Sequence, residues 1–284
     1  MTLQSIQTAS GMYTIAPFDH RGSLASSLGV NLDTPSGKEI ITQMKVMFME
    51  VFSPMCSAVL VDPVYGFPAI ARKAKNCGLI LTLENSGYSD EKTAVPTMIP
   101  EWGVENVKNN YAVAKLLSYY HPGEPNAAQK KKLIIELGEY CRHEDVPFLL
   151  EPVIFNPFGK EELSMSDFQE AQLITAQEFQ QSCDILKIQY PGDALACATM
   201  TAELDIPWIL LSRGMTYDKF KEATKIGLEN GCKGFAAGRS VWQEISKIRR
   251  PDDLPDLEKI EAFLNTTAKE RMIELIEITE KFGN

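Results

Sequence analysis

The chain has 284 residues, 44% of them hydrophobic and 23% charged, which describes a folded protein with material for a sizeable core and excludes collagen-like, low-complexity or disordered character. Its formal charge of -10 excludes a general binder of nucleic acid or of anionic membranes, because such proteins collect cations on a surface; an anionic ligand needs a local basic pocket. The length suits two average domains or one large α/β barrel, which needs about 250 residues.

The opening MTLQSIQTASGMYTI has no basic segment followed by an apolar run. No stretch approaches the roughly 20 apolar residues of a membrane span, so the expected location is cytoplasmic. Cys56, Cys77, Cys141, Cys183, Cys197 and Cys232 are scattered singly without CxxC spacing and read as reduced, mostly buried thiols.

Apolar runs of strand length recur at 13–19 (YTIAPFD), 58–63 (AVLVDP), 79–84 (LILTLE), 111–120 (YAVAKLLSYY), 147–155 (PFLLEPVIF), 184–191 (DILKIQYP), 207–213 (PWILLSR) and 234–239 (GFAAGR). Between them lie stretches of helical period. In 126–144 the pattern predicts a shared face of Leu133, Ile134, Leu137 and Tyr140, and in 216–230 one of Phe220, Ala223 and Leu228. Segment 85–104 is too long for a routine connection and too polar for core, so it is predicted as a loop on the ligand-binding side. From Pro251 onward the chain reads as a closing helix.

Strands that are apolar on nearly every residue are covered on both faces, as in a parallel sheet wrapped by crossover helices. Eight such units predict a closed (β/α)₈ TIM barrel, an α/β fold, as a single domain over 1–284. A dinucleotide-binding open sheet would place GxGxxG after its first strand, where this chain reads DHRGSLASSLG.

Within such a barrel a charged residue late in a strand has no water on the helix side and should point into the mouth. Asp19, Lys115, Glu151 and Lys187 are placed in this way, and Glu84 follows the same logic. One reading is an ion-pair network that fills the barrel. The other is carbonyl chemistry, in which a lysine attacks as the neutral amine. Burial and a second ammonium both favour that form, so Lys115 serves Lys187 or the reverse. Glu151 is the natural proton carrier for a neighbouring hydroxyl.

Two late turns suit an anion. Ser212-Arg213-Gly214 ends the seventh strand and Gly238-Arg239-Ser240 the eighth; glycine admits backbone N–H groups to an anion, and Arg239 adds a bidentate donor. His20, beside Asp19, is placed to hydrogen-bond a ligand. His121 reads as loop structure and His143 as a helix end. With only these three histidines, a metal site is not expected. Gln189 and Asp193 are expected near Lys187 as supporting groups, and Trp102 and Trp242 in packing.

The blocks FDHRGSL (18–24), AVAKLLSYY (112–120), EDVPFLLEP (144–152), DILKIQYPGD (184–193), IPWILLSRGM (206–215) and GFAAGRSVW (234–242) resemble the class I tagatose-1,6-bisphosphate aldolase family, which includes sulfofructose-1-phosphate aldolases. The resemblance implies Lys187 as the Schiff-base lysine and Glu151 as the acid/base carboxylate. It implies Asp19 and Lys115 as substrate-binding or proton-positioning groups, and Ser212 and Arg239 around a C1 phosphate. Family members often carry Gln in place of His20 and Glu in place of Gln189. The implied activity is reversible retro-aldol cleavage of a ketose phosphate to dihydroxyacetone phosphate and an aldehyde, with no metal or organic cofactor. Arg21, His20 and Lys115 suit either a phosphate or a sulfonate on the far end of the sugar. A sugar-phosphate sensor on the same barrel is the non-catalytic alternative. The expected partner is a phosphorylated or sulfonated ketose, with no nucleic acid and no membrane, and a homo-oligomer remains open.

Overall fold

The eight apolar runs form strands β1 (Tyr13–Pro17), β2 (Ala58–Val61), β3 (Gly78–Thr82), β4 (Val113–Tyr120), β5 (Phe148–Ile154), β6 (Ile185–Ile188), β7 (Trp208–Leu211) and β8 (Gly234–Ala236). All pairings are parallel, and β8 returns to β1, so the sheet closes in sequence order. The computed structural model describes residues 2–85, 91–159 and 161–283. Residues 86–90 of the predicted 85–104 loop therefore lie outside the described residues.

Outside the strands run α1 (Gly22–Ser27), α2 (Pro35–Phe52), α3 (Val104–Asn109), α4 (Ala127–His143), α5 (Met165–Phe179), α6 (Ala194–Glu203), α7 (Tyr217–Glu229), α8 (Arg239–Trp242), α9 (Leu257–Phe263) and α10 (Lys269–Glu280). Their starts follow local chemistry. Thr34 caps α2 by accepting from Gly37 N, with Pro35 supplying the first helical φ, and Ser164 caps α5 through Asp167 N. Among the described residues, no helix is long and apolar enough to cross a membrane.

Strand alternation splits the interior into two layers. Tyr13, Ile15, Ala58, Leu60, Ile80, Val113, Leu149, Ile185, Ile209 and Ala236 fill the lower barrel, with Ile6 closing them from below. The alternate residues, such as Val59, Leu81, Ala114, Leu150 and Leu210, pack outward against the helices. All six cysteines are free and buried.

One predicted helix face needs correction. In α4 the buried residues are Lys130, Ile134, Gly138 and Cys141, while Tyr140 is 41% exposed. The inward face is therefore rotated from the predicted one, because a buried lysine occupies a position that hydrophobic periodicity assigns to solvent. The predicted closing helix is present: α9 and α10 run on without a break from Leu257 to Glu280, with a π-helical stretch at Leu264–Ala268 between them. In α7 the predicted Phe220, Ala223 and Leu228 are all buried.

Candidate active site

One cavity of about 810 Å³ opens at the C-terminal ends of the strands, and Asp19, Glu84, Lys115, Glu151 and Lys187 all line it. Their inward aim follows from strand alternation. Val113, Leu149 and Ile185 belong to the apolar lower layer, and two residues further on the same faces present Lys115, Glu151 and Lys187. Leu149 stands in register with Ile185, which sets Glu151 beside Lys187. Glu151 Oε2 lies 2.8 Å from Lys187 Nζ and 3.1 Å from Lys115 Nζ. Lys115 Nζ also meets Asp19 Oδ2 at 2.8 Å and Glu84 Oε1 at 2.6 Å.

The two lysines differ in their surroundings. Burial by itself would lower the pKa of Lys115, but Asp19, Glu151 and Glu84 outweigh it and hold the group well above the usual lysine range. Lys115 therefore stays an ammonium and is the lysine that holds charge. Burial likewise pushes Asp19 up, and the cations Lys115 and Lys187 overcome it and keep the carboxyl well below its ordinary value. Among the described residues Lys187 Nζ forms its short ion pair with Glu151 alone, and its side chain is 5% exposed.

His20 and Arg21 line the same cavity. The His20 ring meets Trp242 edge-on at 5.5 Å, and burial, reinforced by Arg239 and Lys45 against the pull of Asp19, drives its pKa down to about 3. His20 is thus a neutral hydrogen-bonding group at neutral pH. Arg21 is 7% exposed and donates from Nη2 to the Glu84 carbonyl at 2.6 Å.

Ser212, Arg213, Gly238 and Arg239 line the cavity rim after β7 and β8. A side chain at Gly238 would sit tightly against Pro17 at 3.2 Å and His20 at 3.3 Å, so the close approach of the strand ends favours glycine there. Arg213 and Gly214 take left-handed backbone, φ 40° and 75°, which turns the Arg213 side chain over the mouth. Gly214 is not among the lining residues, and its part is to shape that turn.

Several predicted groups lie elsewhere. Asp193 caps α6 through Ala196 N and faces a separate groove between α5 and α6, so it does not support Lys187. Gln189 joins β6 to β5, accepting from Ile154 N at 2.6 Å and donating to Ile154 O at 3.3 Å. An amide can serve both backbone groups, whereas a carboxylate could only accept. His121 accepts from Gly123 N within its loop, and His143 is exposed at the end of α4. Trp102 donates to the Thr82 carbonyl and packs on Phe67, and Trp242 packs on Phe48.

The sequence reading missed Lys45 and Asp62, a fully buried ion pair at 2.8 Å. Lys45 also donates to the carbonyls of Phe18 and His20, so α2 holds the strand end that carries Asp19. A signal existed: Lys45 shares a helical face with Ile41, Met44 and Phe48, an arrangement that buries its ammonium. Tyr119 and Lys92 were also missed as lining residues. Tyr119 keeps the inward parity of Lys115 and Leu117, which was legible in the strand.

A closed barrel whose mouth joins lysines to carboxylates in direct contact is the architecture of an aldehyde-lyase that works through an amine. The model of the DeoC/LacD family aldolases matches residues 13–244, and the chain belongs to that family. It is a class I aldolase. Tagatose 1,6-diphosphate aldolase of Staphylococcus haemolyticus (strain JCSC1435) is 27% identical over 279 residues, covering 87% of this chain and 86% of that protein. Tagatose 1,6-diphosphate aldolase 2 of Streptococcus pyogenes serotype M1 is 28% identical over 275 residues, covering 85% and 83%. Among solved structures, an archaeal fructose-1,6-bisphosphate aldolase with its catalytic Lys bound to a carbinolamine intermediate superposes with a TM-score of 0.63 at 17% identity, over 99% of this chain and 98% of that one. The fructose-bisphosphate aldolase of Slackia heliotrinireducens DSM 20476 gives 0.64 at 12% identity, over 99% and 87%. Identities this low establish the shared barrel alone.

Proposed function

We propose that the chain cleaves a ketose phosphate, with tagatose 1,6-bisphosphate the first candidate, to dihydroxyacetone phosphate and an aldehyde through a Schiff base on Lys187. The observation that carries the reading is the division of labour at the mouth: Lys115 is held as a cation by three carboxylates, and Lys187 faces Glu151 at 2.8 Å. Proton transfer from Lys187 to Glu151 frees the amine, which adds to the substrate C2 carbonyl; Glu151 then returns the proton to the carbinolamine hydroxyl, which leaves as water, giving an iminium and a carboxylate on Glu151 once more. That iminium withdraws electrons from the C3–C4 bond. As the bond breaks, Glu151 takes the C4 hydroxyl proton and the aldehyde departs. The enamine left on Lys187 is protonated at C3, and hydrolysis releases dihydroxyacetone phosphate.

Asp19 and Lys115 hold the sugar hydroxyls near C3. Ser212, Arg213, Gly238 and Arg239 take the C1 phosphate, for which Arg239 offers a bidentate, charge-assisted contact. The substrate relatives named above support the ketose bisphosphate class, and the buried thiols suit a reducing, cytoplasmic setting. Release of dihydroxyacetone phosphate from tagatose and fructose 1,6-bisphosphates tests the activity. Glu151→Gln should lower kcat by about 10²–10⁴-fold. No release from either sugar, or full activity in Glu151→Gln, overturns the reading.

A further inference from the structure

We propose that Lys92, on the loop between β3 and α3, determines specificity by holding a second anionic group at the end of the ketose remote from C1. This rests on the aldolase reading above and adds to it the residue that recognises the far end of the sugar. Lys92 lines the active-site cavity, and its Nζ sits 5.7 Å from the centroid of the Tyr119 ring. A cation resting on an aromatic face is held in place while keeping its N–H donors available to an incoming anion.

The backbone beneath Lys92 is anchored. Lys130, whose side chain is fully buried, donates to the carbonyls of Lys92 at 2.7 Å and Tyr119 at 2.8 Å and to Glu124 Oε2 at 2.7 Å. These three contacts use all the donors of an ammonium. Asn126 adds a bond to the Thr93 carbonyl at 2.9 Å. The fold therefore spends a buried lysine on fixing where the loop delivers Lys92.

Arg21 supplies the independent observation. This residue is 93% buried by its 7% exposure and lines the same cavity, yet its Nη1 has no hydrogen-bond partner among the described residues. Nη2 is fixed on the carbonyl of Glu84, at the end of β3. A buried guanidinium N–H without an acceptor is costly unless a ligand supplies one. Barrel closure places β3 and β4 across from β7 and β8. A ketose anchored by C1 phosphate at Ser212 and Arg239, with C2 at Lys187, then turns its far end toward Arg21 and Lys92. Phosphate and sulfonate share the required chemistry, a tetrahedral anion with several acceptors.

The test compares kcat/KM for ketose 1,6-bisphosphates, a 6-deoxy-6-sulfo ketose 1-phosphate and the plain ketose 1-phosphates in wild type, Lys92→Gln and Lys92→Arg. The side chain is exposed, so neither substitution threatens the fold. Wild type should prefer a doubly anionic sugar over the 1-phosphate. In Lys92→Gln that preference should shrink at least tenfold, mainly through KM, and Lys92→Arg should restore it. Preference for the sulfonate or for the phosphate supports the proposal and identifies the far group. An undiminished preference in Lys92→Gln, or none in wild type, overturns the role of Lys92 and leaves the aldolase reading standing. If wild type releases dihydroxyacetone phosphate from no sugar, the aldolase reading falls and this inference with it.

Discussion

Lys45 and Asp62 form an ion pair of 2.8 Å with both side chains fully buried, behind the end of β1 rather than in the cavity. Lys45 completes its donors on the carbonyls of Phe18 and His20, and Asp62 accepts from Val64 N and Tyr65 N. The pair thus ties α2 and β2 to the backbone on either side of Asp19.

Removing one partner strands the other as a buried charge. Lys45→Met should cost about 3–5 kcal/mol of stability, and Lys45→Met with Asp62→Leu should cost less than Lys45→Met alone. Urea unfolding of the cycle measures both. Equal losses in the single and double variants would mean that the pair is held by its backbone contacts and not by its mutual attraction.

At the phosphate rim, Arg239→Ala removes a charge-assisted contact of about 1.5–3 kcal/mol, so dihydroxyacetone phosphate should bind at least tenfold more weakly. Calorimetric titration reads the change directly. Unaltered affinity would move the C1 phosphate away from the turns after β7 and β8.

His20 gives a pH signature. Its pKa falls from 6.5 to about 3 in the folded chain, with burial the main cause, so it stays neutral through the physiological range. Below pH 6.5 the unfolded chain binds a proton at this residue that the folded chain refuses until about pH 3, and stability therefore declines as pH falls through that window. His20→Gln should flatten the decline between pH 6.5 and 5, above the range where Asp19 titrates in the unfolded chain. In the wild type, NMR shifts of the His20 ring should stay constant from pH 8 to 4. An inflection between pH 6 and 7 would show that the ring is solvated.

Most of the barrel and of its charged mouth was legible because strands covered on both faces read as unbroken apolar runs. Against that background Lys115, Glu151 and Lys187 stand out, and alternation gives their direction. The same rule fails where a buried polar group replaces an apolar one. Lys130 and Lys45 occupy inward helix positions with their charges paired, so periodicity sent the face of α4 toward Tyr140 and passed over Lys45. Nearness in sequence also misled. Asp193 lies six residues after Lys187, but β6 ends at Ile188 and the chain turns away to start α6. Lys92 sits in a polar loop with no period, and only the bonds from Lys130 and Asn126 reveal where it is held.

The two lysines of the mouth should separate cleanly. Lys187 is the proposed nucleophile, because Lys115 is kept protonated by three carboxylates and Lys187 contacts one. Borohydride should therefore trap dihydroxyacetone phosphate on the wild type, with peptide mapping placing the label on Lys187. Lys187→Met should abolish the adduct and retain the fold, since methionine keeps most of the volume and the near-complete burial is apolar along the stem. Lys115→Met is a different change. It leaves Asp19, Glu84 and Glu151 crowded without their shared cation, which should cost about 3–5 kcal/mol of stability or be relieved by proton uptake. The raised pKa of Lys115 sets the sign: its contribution is complete below the unfolded lysine value and is lost only as pH rises through the higher folded value. The stability gap between wild type and Lys115→Met should therefore persist across neutral pH. The adduct should still form in Lys115→Met, more slowly, and still on Lys187. A label on Lys115, or an adduct surviving in Lys187→Met, would reverse the assignment of nucleophile and charge holder.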